Sequence, residues 1–527
     1  MTLPKDKVDV VIVGSGSAGS HFAARLSKAG RRVVALEAGP DIRTEQMVSS
    51  MLWARRLKWK GAPVLETGPQ PIGYVFNAGW GVGGASIHHY AVWPRMHEND
   101  FRVRSLYGRG LDWPIGYSDL QPYYDRVQKE CGLSGDSKAE VWRPAGEPYP
   151  MGPVASANQG RVVRKGFESL GMKVAPLPMA IATKTYKGRP SCIWDGWCDA
   201  GCPTGALANA LSVHWPEALA AGATLHPNHQ VVRVLTESKG TRASGVEVVT
   251  PDGTRTRVMA DVVVLAANTI QNARILLASA SPEHPHGVGN ASGTLGRYIT
   301  THLAAPIFGL HPDRTNPWFG AFGGQFLNQE HYDEKEKFSE QGAFGSYQWM
   351  IAQAVKPNGL LGMAPSRPDL RGSALKRFME RSTEHMITMT GVVEDLPLAQ
   401  NRVTLSGKKD DWGVPLATVE HASSPESLAL WQAAVDEGLK VFRATGADEV
   451  WNAPRAPMHI MGGTIMGTGP NNSVADAYGA VHEVPNLILG GAGLFSTSGG
   501  VNPTFTIQAL VSMACDRMTG EAPPPSA

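Results

Sequence analysis

The chain has 527 residues, of which 42% are hydrophobic and 18% charged, and its formal net charge is +2. This length suits several domains or one large two-part enzyme, and the low charged fraction excludes an intrinsically disordered chain. The sequence has no block of basic residues and no acidic tail, so it is not typical of a nucleic-acid-binding protein.

The sequence predicts no membrane span and no export signal. No apolar run reaches the roughly 18 residues that a membrane-spanning helix needs. The first apolar stretch is short and leads directly into a glycine-rich loop, which is typical of a strand and not of a signal peptide. Arg31-Arg32 lies too far from the N-terminus to be a twin-arginine signal. We therefore expect the chain to depend on a partner for any export.

The first predicted elements form a dinucleotide-binding unit. Val10–Val13 is predicted to be a strand, and Gly14–Gly19 follows it with the pattern G-x-G-x-x-G. A predicted helix, Ser20–Ala29, comes next, and a second predicted strand, Arg32–Leu36, ends at Glu37. A strand, a glycine motif, a helix and an acidic residue in this order are typical of a Rossmann-like fold.

Each residue type in this unit has a physical role. Gly14 permits the tight turn, Gly16 lets the backbone approach a pyrophosphate, and Gly19 lets the helix pack against the strand. The helix N-terminus favours phosphate charge, and Glu37 can accept a hydrogen bond from a ribose hydroxyl. NAD and FAD both use this arrangement, but the ending Glu37-Ala38-Gly39-Pro40 resembles that of FAD enzymes. The alternative is a glycine-rich turn in an unrelated α/β fold.

The five cysteines are unevenly spread. Cys192, Cys198 and Cys202 lie within eleven residues, whereas Cys131 and Cys515 lie singly on predicted helices and are interpreted as small buried hydrophobes. An odd number with this crowding argues against disulfides. Three soft thiolates suit an iron–sulfur cluster, and the alternatives are zinc with a distant histidine or inert cysteines. Three glycines are expected to let backbone amides approach the sulfurs: Gly196, Gly201 and Gly205.

Further pieces of a nucleotide-binding fold are predicted later in the chain. They are a helix at Ala206–Leu219 with a break near Pro216, strands at Val231–Leu235, Gly245–Val249 and Asp261–Leu265, a helix at Thr269–Ala278, a strand at Asn486–Leu489 and a helix at Pro503–Met518. Between them, residues 301–457 are rich in aromatics and include an amphipathic stretch, Ser424–Thr445, with an N-cap serine and a first-turn proline.

The predicted domains follow from this order. A discontinuous cofactor domain occupies residues 1–300, with the cysteine segment 190–206 inserted. A substrate domain occupies residues 301–457. Residues 458–527 carry a catalytic motif and return to the cofactor domain.

Two more motifs, taken with the glycine motif, carry a family resemblance. Gly81–His89, which is followed by Trp93-Pro94-Arg95, and His459–Gly467, with Val501–Leu510 downstream, resemble motifs of the glucose–methanol–choline (GMC) oxidoreductases. These enzymes are FAD-dependent alcohol oxidases and dehydrogenases. The motifs occur in the family's order over nearly the whole chain. The resemblance implies an α/β fold with a discontinuous Rossmann-like FAD-binding domain and an α+β substrate domain that contains an antiparallel sheet.

The resemblance also implies site residues. His459 would be the catalytic base, because a neutral imidazole with a pKa near 6.5 can take a proton from an alcohol. Asn502 would orient the substrate hydroxyl, and His88 and His89 would shape the flavin pocket. The residues predicted to bind FAD are Gly14, Gly16, Ser17, Ala18, Gly19, Glu37, Ala38, Gly83, Gly84, Ser86, His89, Val231, Ala267, Gly491, Ala492, Asn502 and Thr504. His302 and His482 are interpreted as structural histidines.

A narrower resemblance concerns the cysteine segment. Cys192–Ala206 resembles a segment in the large subunits of bacterial three-subunit sugar dehydrogenases, where three cysteines hold a [3Fe–4S] cluster, and Gly110–Tyr124 also resembles that subgroup. The resemblance implies a small subunit with a twin-arginine signal and a c-type cytochrome as partners. It places the protein in the periplasm by co-export, whereas without partners it would remain in the cytoplasm.

The predicted function is an FAD-dependent dehydrogenase that oxidises a CH–OH group of a sugar, glycoside or polyol and relays electrons through the cluster to the cytochrome. The sugar dehydrogenases carry Asn-Asn before the base histidine, whereas this chain has Pro457-Met458. A less polar alcohol, or a sugar held differently, is therefore an open alternative as the substrate. Two further alternatives remain. One is an oxidase that uses oxygen and whose thiols bind zinc or nothing, and the other is a non-catalytic electron-transfer or scaffold subunit.

Overall fold

The computed structural model describes residues 2–57, 61–356 and 359–524. Its strands are β1 Val8–Val13, β2 Val33–Leu36, β3 Leu65–Thr67, β4 Ala175–Pro176, β5 Thr224–His226, β6 Gln230–Thr236, β7 Ala243–Val249, β8 Arg255–Leu265, β9 Thr300–Leu310, β10 Phe326–Asn328, β11 Tyr347–Ile351, β12 Met386–Val393, β13 Arg402–Lys409, β14 Pro415–Glu420, β15 Glu449–Asn452, β16 Ala456–Met461, β17 Ala480–Val481 and β18 Val484–Leu489. Its α-helices are α1 Ser17–Lys28, α2 Met51–Arg56, α3 Tyr74–Asn77, α4 Val103–Tyr107, α5 Tyr117–Cys131, α6 Asn158–Ser169, α7 Trp215–Ala220, α8 Thr269–Ala278, α9 Leu360–Met363, α10 Gly372–His385, α11 Pro425–Ala444 and α12 Thr504–Thr519.

The first sheet has the strand order β17-β18-β8-β1-β2-β5, and β7 joins it by pairing antiparallel with β8. β1 runs parallel to both β2 and β8, with Val10 opposite Val33 and Val13 opposite Leu265. The central strands are mostly apolar where they pair, and their side chains are buried on both faces of the sheet. Helices α1, α7 and α12 pack together. This sheet confirms the predicted Rossmann-like unit and its assembly from distant parts of the chain.

The second sheet is antiparallel, with the strand order β15-β9-β12-β11-β10-β4, and β16 also pairs with β9. Helices α6 and α11 pack on it around a core that includes Trp349 and Phe442. As predicted, α11 begins after Ser424, whose Oγ accepts a hydrogen bond from the backbone N–H of Ser427. The predicted boundary between residues 457 and 458 lies within β16.

One predicted helix differs in detail. The stretch predicted as Ala206–Leu219 begins only at Ala210, as a π-helix that ends at His214 and continues directly into α7. It begins there because the side chain of Asn209 accepts hydrogen bonds from the first backbone N–H groups. Pro216 does not interrupt it, since proline is tolerated in the first turn of α7. Among all helices of the described residues, none combines the length and apolarity needed to cross a bilayer.

Candidate active site

A cavity of about 320 Å³, here called the cofactor cavity, opens at the carboxyl ends of β1 and β2 and reaches the end of β16. Ligands of parallel α/β sheets bind at this edge. Most residues predicted to bind the cofactor line it: Gly14, Gly16, Ser17, Ala18, Glu37, Ala38, Gly84, Ser86, His89, Val231, Ala267, Gly491, Ala492, Asn502 and Thr504. Gly19 and Gly83 do not line it. Both predicted catalytic residues, His459 and Asn502, do.

The glycines of the first loop divide into two kinds. A Cβ on Gly14 would lie 2.6 Å from the carbonyl oxygen of Ala266, and one on Gly19 would lie 2.1 Å from that of Gly14. Gly19 therefore serves helix packing, as its position in the motif predicts. At Gly16 and Gly491 a Cβ would meet no protein atom closer than 3.8 Å, although both residues line the cavity. The backbone at these two positions is open to a ligand, which fits a bound dinucleotide.

Glu37 is almost fully buried at the end of β2. Its carboxylate accepts hydrogen bonds from the backbone N–H and the hydroxyl of Ser15, at 3.1 and 2.6 Å, and from the N–H of Gly39 at 2.8 Å. Burial raises the pKa of Glu37, and these donors oppose that shift. The carboxylate thus ties β2 to the glycine loop, and it also lines the cavity where a ribose hydroxyl is expected.

His89 contributes to the cavity wall with both ring nitrogens occupied. Its Nδ1 accepts from the backbone N–H of Ala91 at 3.1 Å, so its Nε2 carries the proton and donates to the carbonyl of Ala208 at 2.9 Å. Burial lowers its pKa to about 4. The ring is neutral, and both of its nitrogens are bonded to backbone groups, so His89 forms part of the cavity wall.

His459 lies on β16 with a left-handed backbone, φ 55°, and its backbone N–H donates to Oδ1 of Asn77 at 3.1 Å. Its Nε2 lies 3.2 Å from Nδ2 of Asn502. Because the Asn502 amide donates, this contact requires Nε2 of His459 to be an acceptor. The two predicted catalytic residues are therefore adjacent in the cavity lining, and the lone pair of His459 Nε2 is directed at the Asn502 amide.

His302 completes this arrangement. It lies on β9, opposite Met458 of β16, and its Nδ1 is 2.9 Å from Nδ1 of His459. The Nε2 of His302 lies 2.8 Å from the carbonyl oxygen of Gly499, which can only accept, so this nitrogen carries the proton. The Nδ1 of neutral His302 then accepts from Nδ1–H of His459. The network thereby assigns the tautomer of His459 in which Nε2 is unprotonated.

The sequence interpretation treated His302 as a structural histidine and did not anticipate this contact with His459. The sequence also gave no indication of Gln348, on β11, whose Nε2 donates to Oδ1 of Asn502 at 2.9 Å. Gln348 is itself held by Nε2 of Gln329 at 3.2 Å. This chain of amides fixes which end of the Asn502 side chain faces His459.

The cavity near His459 has an apolar side. Met350 and Met458 line it, together with Tyr74 and Phe76 from α3. Met458 stands where the sugar dehydrogenases of the resemblance carry an asparagine, and a thioether is only a weak hydrogen-bond acceptor. This wall therefore offers few hydrogen-bonding groups to a ligand.

The three clustered cysteines lie on one loop, here called the cysteine loop, Cys192–Gly205. Cys198 is buried, and Cys192 and Cys202 are partly buried. The backbone N–H of Trp194 points at Sγ of Cys192, and that of Leu207 at Sγ of Cys202, each at 3.4 Å. Burial raises the pKa of Cys192 to about 11 and also raises that of Cys198.

Two of the loop glycines also admit neighbouring side chains. A Cβ on Gly196 would lie 2.0 Å from Nζ of Lys356, and one on Gly201 would lie 2.3 Å from Sδ of Met47. Backbone N–H groups of Trp194 and Leu207 reach the sulfurs, and the expectation that the glycines allow this approach stays a prediction.

The donor set of the cysteine loop fits an anionic group bound by thiolates. Nζ of Lys356 is buried beside the loop, and no hydrogen-bond partner for it exists in the described residues. A buried cation needs a counter-charge, which a group held by three thiolates would supply. In the described part of the chain, no group of three or more His, Cys, Asp or Glu side chains is placed to hold a metal ion.

The cysteine loop also adjoins the cofactor cavity. The short helix Gly84–His88 lines the cavity and packs against Cys198–Ala200. Tyr90 lines the same cavity, and its ring packs edge-on against Phe322, with the ring centroids 4.5 Å apart. The backbone of Phe322 makes a hydrogen bond with Cys198. On the far side of the loop, the side chain of Ile193 is exposed. The loop therefore spans the distance from the cavity wall to the surface.

The fold and this site define an oxidoreductase that uses a dinucleotide cofactor: a nucleotide cradle and an imidazole base meet in one cavity. Two models of the GMC oxidoreductase family match the chain, over residues 8–304 and 397–510. The chain therefore belongs to the GMC oxidoreductases and is an FAD-dependent enzyme. The stretch between the two matches, residues 305–396, lies within the predicted substrate domain.

Individual proteins agree with this assignment. The chain is 32% identical to 2-methyl-1,2-propanediol dehydrogenase of Mycolicibacterium austroafricanum, over 98% of this chain and 96% of that protein. It is 30% identical to the fructose dehydrogenase large subunit of Gluconobacter japonicus, over 97% and 98% of the two chains. The solved structure of pyridoxine 4-oxidase from Mesorbium loti superposes with a TM-score of 0.70 at 17% identity, covering 98% of this chain and all of that one, which shows the shared fold.

Proposed function

We propose that this protein is an FAD-dependent dehydrogenase that oxidises a CH–OH group of a polyol, sugar or glycoside and relays the electrons through a [3Fe–4S] cluster to a c-type cytochrome. One observation carries the proposal. The unprotonated Nε2 of His459 meets the amide of Asn502 in the cofactor cavity, and the cysteine loop packs against a wall of that same cavity.

The protein supplies the proton chemistry. Nδ2 of Asn502 donates to Nε2 of His459 in the wall of the cavity, so a substrate hydroxyl that replaces this contact can donate to the histidine and accept from the asparagine. His459 then takes the hydroxyl proton, and its Nδ1–H remains bonded to His302, which keeps the ring in place. Bound FAD would supply the hydride acceptor, and a cluster held by Cys192, Cys198 and Cys202 would supply one-electron transfer.

Within the proposed substrate class, the apolar wall favours a compact diol or polyol over a sugar. Met350 and Met458 offer few hydrogen bonds to additional hydroxyl groups. The similarity to a dehydrogenase named for 2-methyl-1,2-propanediol supports this choice. A sugar ring would have to be held by the remaining polar residues of the lining.

The proposed partners follow from the cysteine loop. A metal cluster between a flavin pocket and the surface is useful when electrons leave singly for another protein, and Cys192 and Cys202 are only partly buried. The relative in Gluconobacter japonicus is named as a large subunit, which supports a multi-subunit assembly. We therefore propose a small twin-arginine-exported subunit, a c-type cytochrome and a periplasmic location reached by co-export.

One experiment tests the whole proposal. The purified protein is assayed for flavin, iron and acid-labile sulfide, and then for reduction of a dye by a panel of diols, polyols and sugars with and without oxygen. We expect one flavin with three irons per chain, and dye reduction that is fastest with a compact diol. A flavoprotein without iron that forms peroxide from oxygen would instead identify an oxidase.

The pH dependence of flavin reduction follows from the environment of His459. Burial, and to a smaller extent the neighbouring His302, holds the pKa of His459 well below its ordinary value of 6.5. A lowered pKa keeps the ring unprotonated, and therefore able to accept a proton, as the pH falls through 6.5. We expect the rate of flavin reduction by substrate to persist below pH 6.5 and to fall only in more acidic solution. Stopped-flow measurements across a pH series check this, and an acidic limb centred at or above 6.5 would contradict it.

His302 is expected to act as a positioning residue. Phenylalanine keeps a ring at this buried position but cannot accept the Nδ1–H of His459, whereas asparagine can place an acceptor oxygen near the same point. We expect His302→Phe to lower the rate constant of flavin reduction by about ten- to hundredfold with little change in the apparent substrate affinity. His302→Asn should lower the rate constant of flavin reduction distinctly less than His302→Phe does. Equal losses in both variants would indicate that His302 only fills space.

A further inference from the structure

The position of Lys356 is unusual for a lysine. It lies five residues beyond the end of β11, and only 4% of its surface is exposed. Its ammonium stands over the ring of Trp197, 5.2 Å from the centroid, and it occupies the space that a Cβ on Gly196 would need. Both of these neighbours belong to the cysteine loop.

Nothing in the described residues neutralises this charge directly. Among the described residues, no carboxylate lies within salt-bridge distance of Nζ, and no hydrogen-bond acceptor reaches it. Burial lowers the pKa of the Lys356 ammonium, and four nearby groups oppose this shift, Cys198 most strongly, followed by Asp195, Asp199 and Cys192. All four belong to the loop that carries the proposed cluster. A buried ammonium is retained against its desolvation cost only when opposite charge faces it.

From this placement we propose that Lys356 is the counter-charge of the group bound by the cysteine loop, and that it raises the reduction potential of that group. The inference rests on the proposed function, because it requires a cluster on Cys192, Cys198 and Cys202. Three thiolates give such a cluster a net negative charge, and one-electron reduction adds a further negative charge. A fixed cation close by stabilises the reduced form more than the oxidised form, so the potential rises.

Gly196 makes this approach possible. The residue has a left-handed backbone, φ 65°, and any side chain there would collide with Nζ of Lys356. The loop therefore keeps a space open for an ammonium group beside the cysteines. A lysine that served only as packing would need no such opening, because its methylene groups could be buried while its charge reached solvent.

The test uses the intact holoenzyme with two substitutions at this position. Lys356→Met removes the charge and keeps a similar length, and Lys356→Arg keeps the charge. The measurements are iron and sulfide per flavin and the midpoint potential of the cluster, obtained by redox titration monitored by electron paramagnetic resonance. Lys376→Met provides the matched control, because the Lys376 side chain is 77% exposed and belongs to α10.

We expect Lys356→Met to keep its iron but to titrate at a lower midpoint potential than the wild type and the Lys376→Met control. If Lys356→Met loses iron while Lys356→Arg retains it, the counter-charge role is also supported. A methionine variant with full iron and an unchanged potential overturns the inference, and so does equal iron loss in both variants, which indicates a packing role. A wild-type protein without iron would instead remove the proposed cluster itself, so the two failures are distinguishable.

Discussion

Replacing His459 by alanine is expected to lower the rate of flavin reduction by substrate by at least about 100-fold while FAD remains bound. The reason is the assignment of its protons. Nδ1–H is committed to His302, so Nε2 is the basic nitrogen that the hydrogen-bond network turns toward Asn502 and the substrate hydroxyl. Asn502 cannot replace it, because an amide does not accept a proton at neutral pH. Stopped-flow absorbance of the bound flavin gives the rate, and the flavin-to-protein ratio gives retention of FAD.

The matched control is His286→Ala, since His286 is exposed and lies outside the cofactor cavity. This variant should reduce its flavin at the wild-type rate. If His459→Ala were also reduced at the wild-type rate, the base would have to be another group. If the alanine variant lost FAD, His459→Gln, which keeps a polar side chain of similar length, would separate cofactor binding from chemistry.

The parts of the site that the sequence predicts are those made by neighbours in the chain. Gly14, Gly16 and Gly19 all lie at the junction between β1 and α1, so their spacing in the sequence is enough to predict their roles. Glu37 comes directly after the second of two strands, and the apolar residues of both strands make them easy to predict. The conformations needed are local, and local conformation is what residue type controls most directly.

His302 shows where such reasoning ends. It meets His459 because β9 pairs with β16, and the two residues are 157 positions apart in sequence. No motif surrounds His302, and one histidine on a buried strand is more often structural than functional. The contact between Gln348 and Asn502 has the same origin, because the antiparallel sheet places β11 beside Asn502. These positions are determined by pairing between strands that are distant in the sequence, and residue spacing does not predict such pairing.

The cysteine loop lies between these two cases. The crowding of Cys192, Cys198 and Cys202 was visible in the sequence, but the side chains that pack against Gly196 and Gly201 were not. These glycines make room for Lys356 and Met47, which come from distant segments. The position of the loop against the cavity wall likewise depends on packing between Cys198–Ala200 and Gly84–His88.

The position of the cysteine loop against the cavity wall leads to the second large effect that we expect, a loss of electron delivery. Replacing Cys198 by serine is expected to leave flavin reduction by substrate intact while abolishing electron delivery to a c-type cytochrome. Cys198 is the buried cysteine of the loop, and its short helix packs against the segment that lines the cofactor cavity, so it lies nearest the flavin side of the proposed relay. A serine hydroxyl is a poor ligand for iron compared with a thiolate. The measurements are substrate-dependent bleaching of the flavin, dye reduction, and reduction of added mitochondrial cytochrome c.

Cys515→Ser is the matched control, because Cys515 is fully buried on α12 and lies outside the loop. It should reduce both the dye and cytochrome c at the wild-type rate. The two acceptors separate the possible faults: a general loss of folding lowers both rates, whereas loss of the relay lowers only the rate with cytochrome c. If Cys198→Ser delivered electrons to cytochrome c as fast as the wild type, the cysteine loop would not lie on the electron path. Electrons would then leave the flavin directly, and the crowded thiols would need a structural explanation.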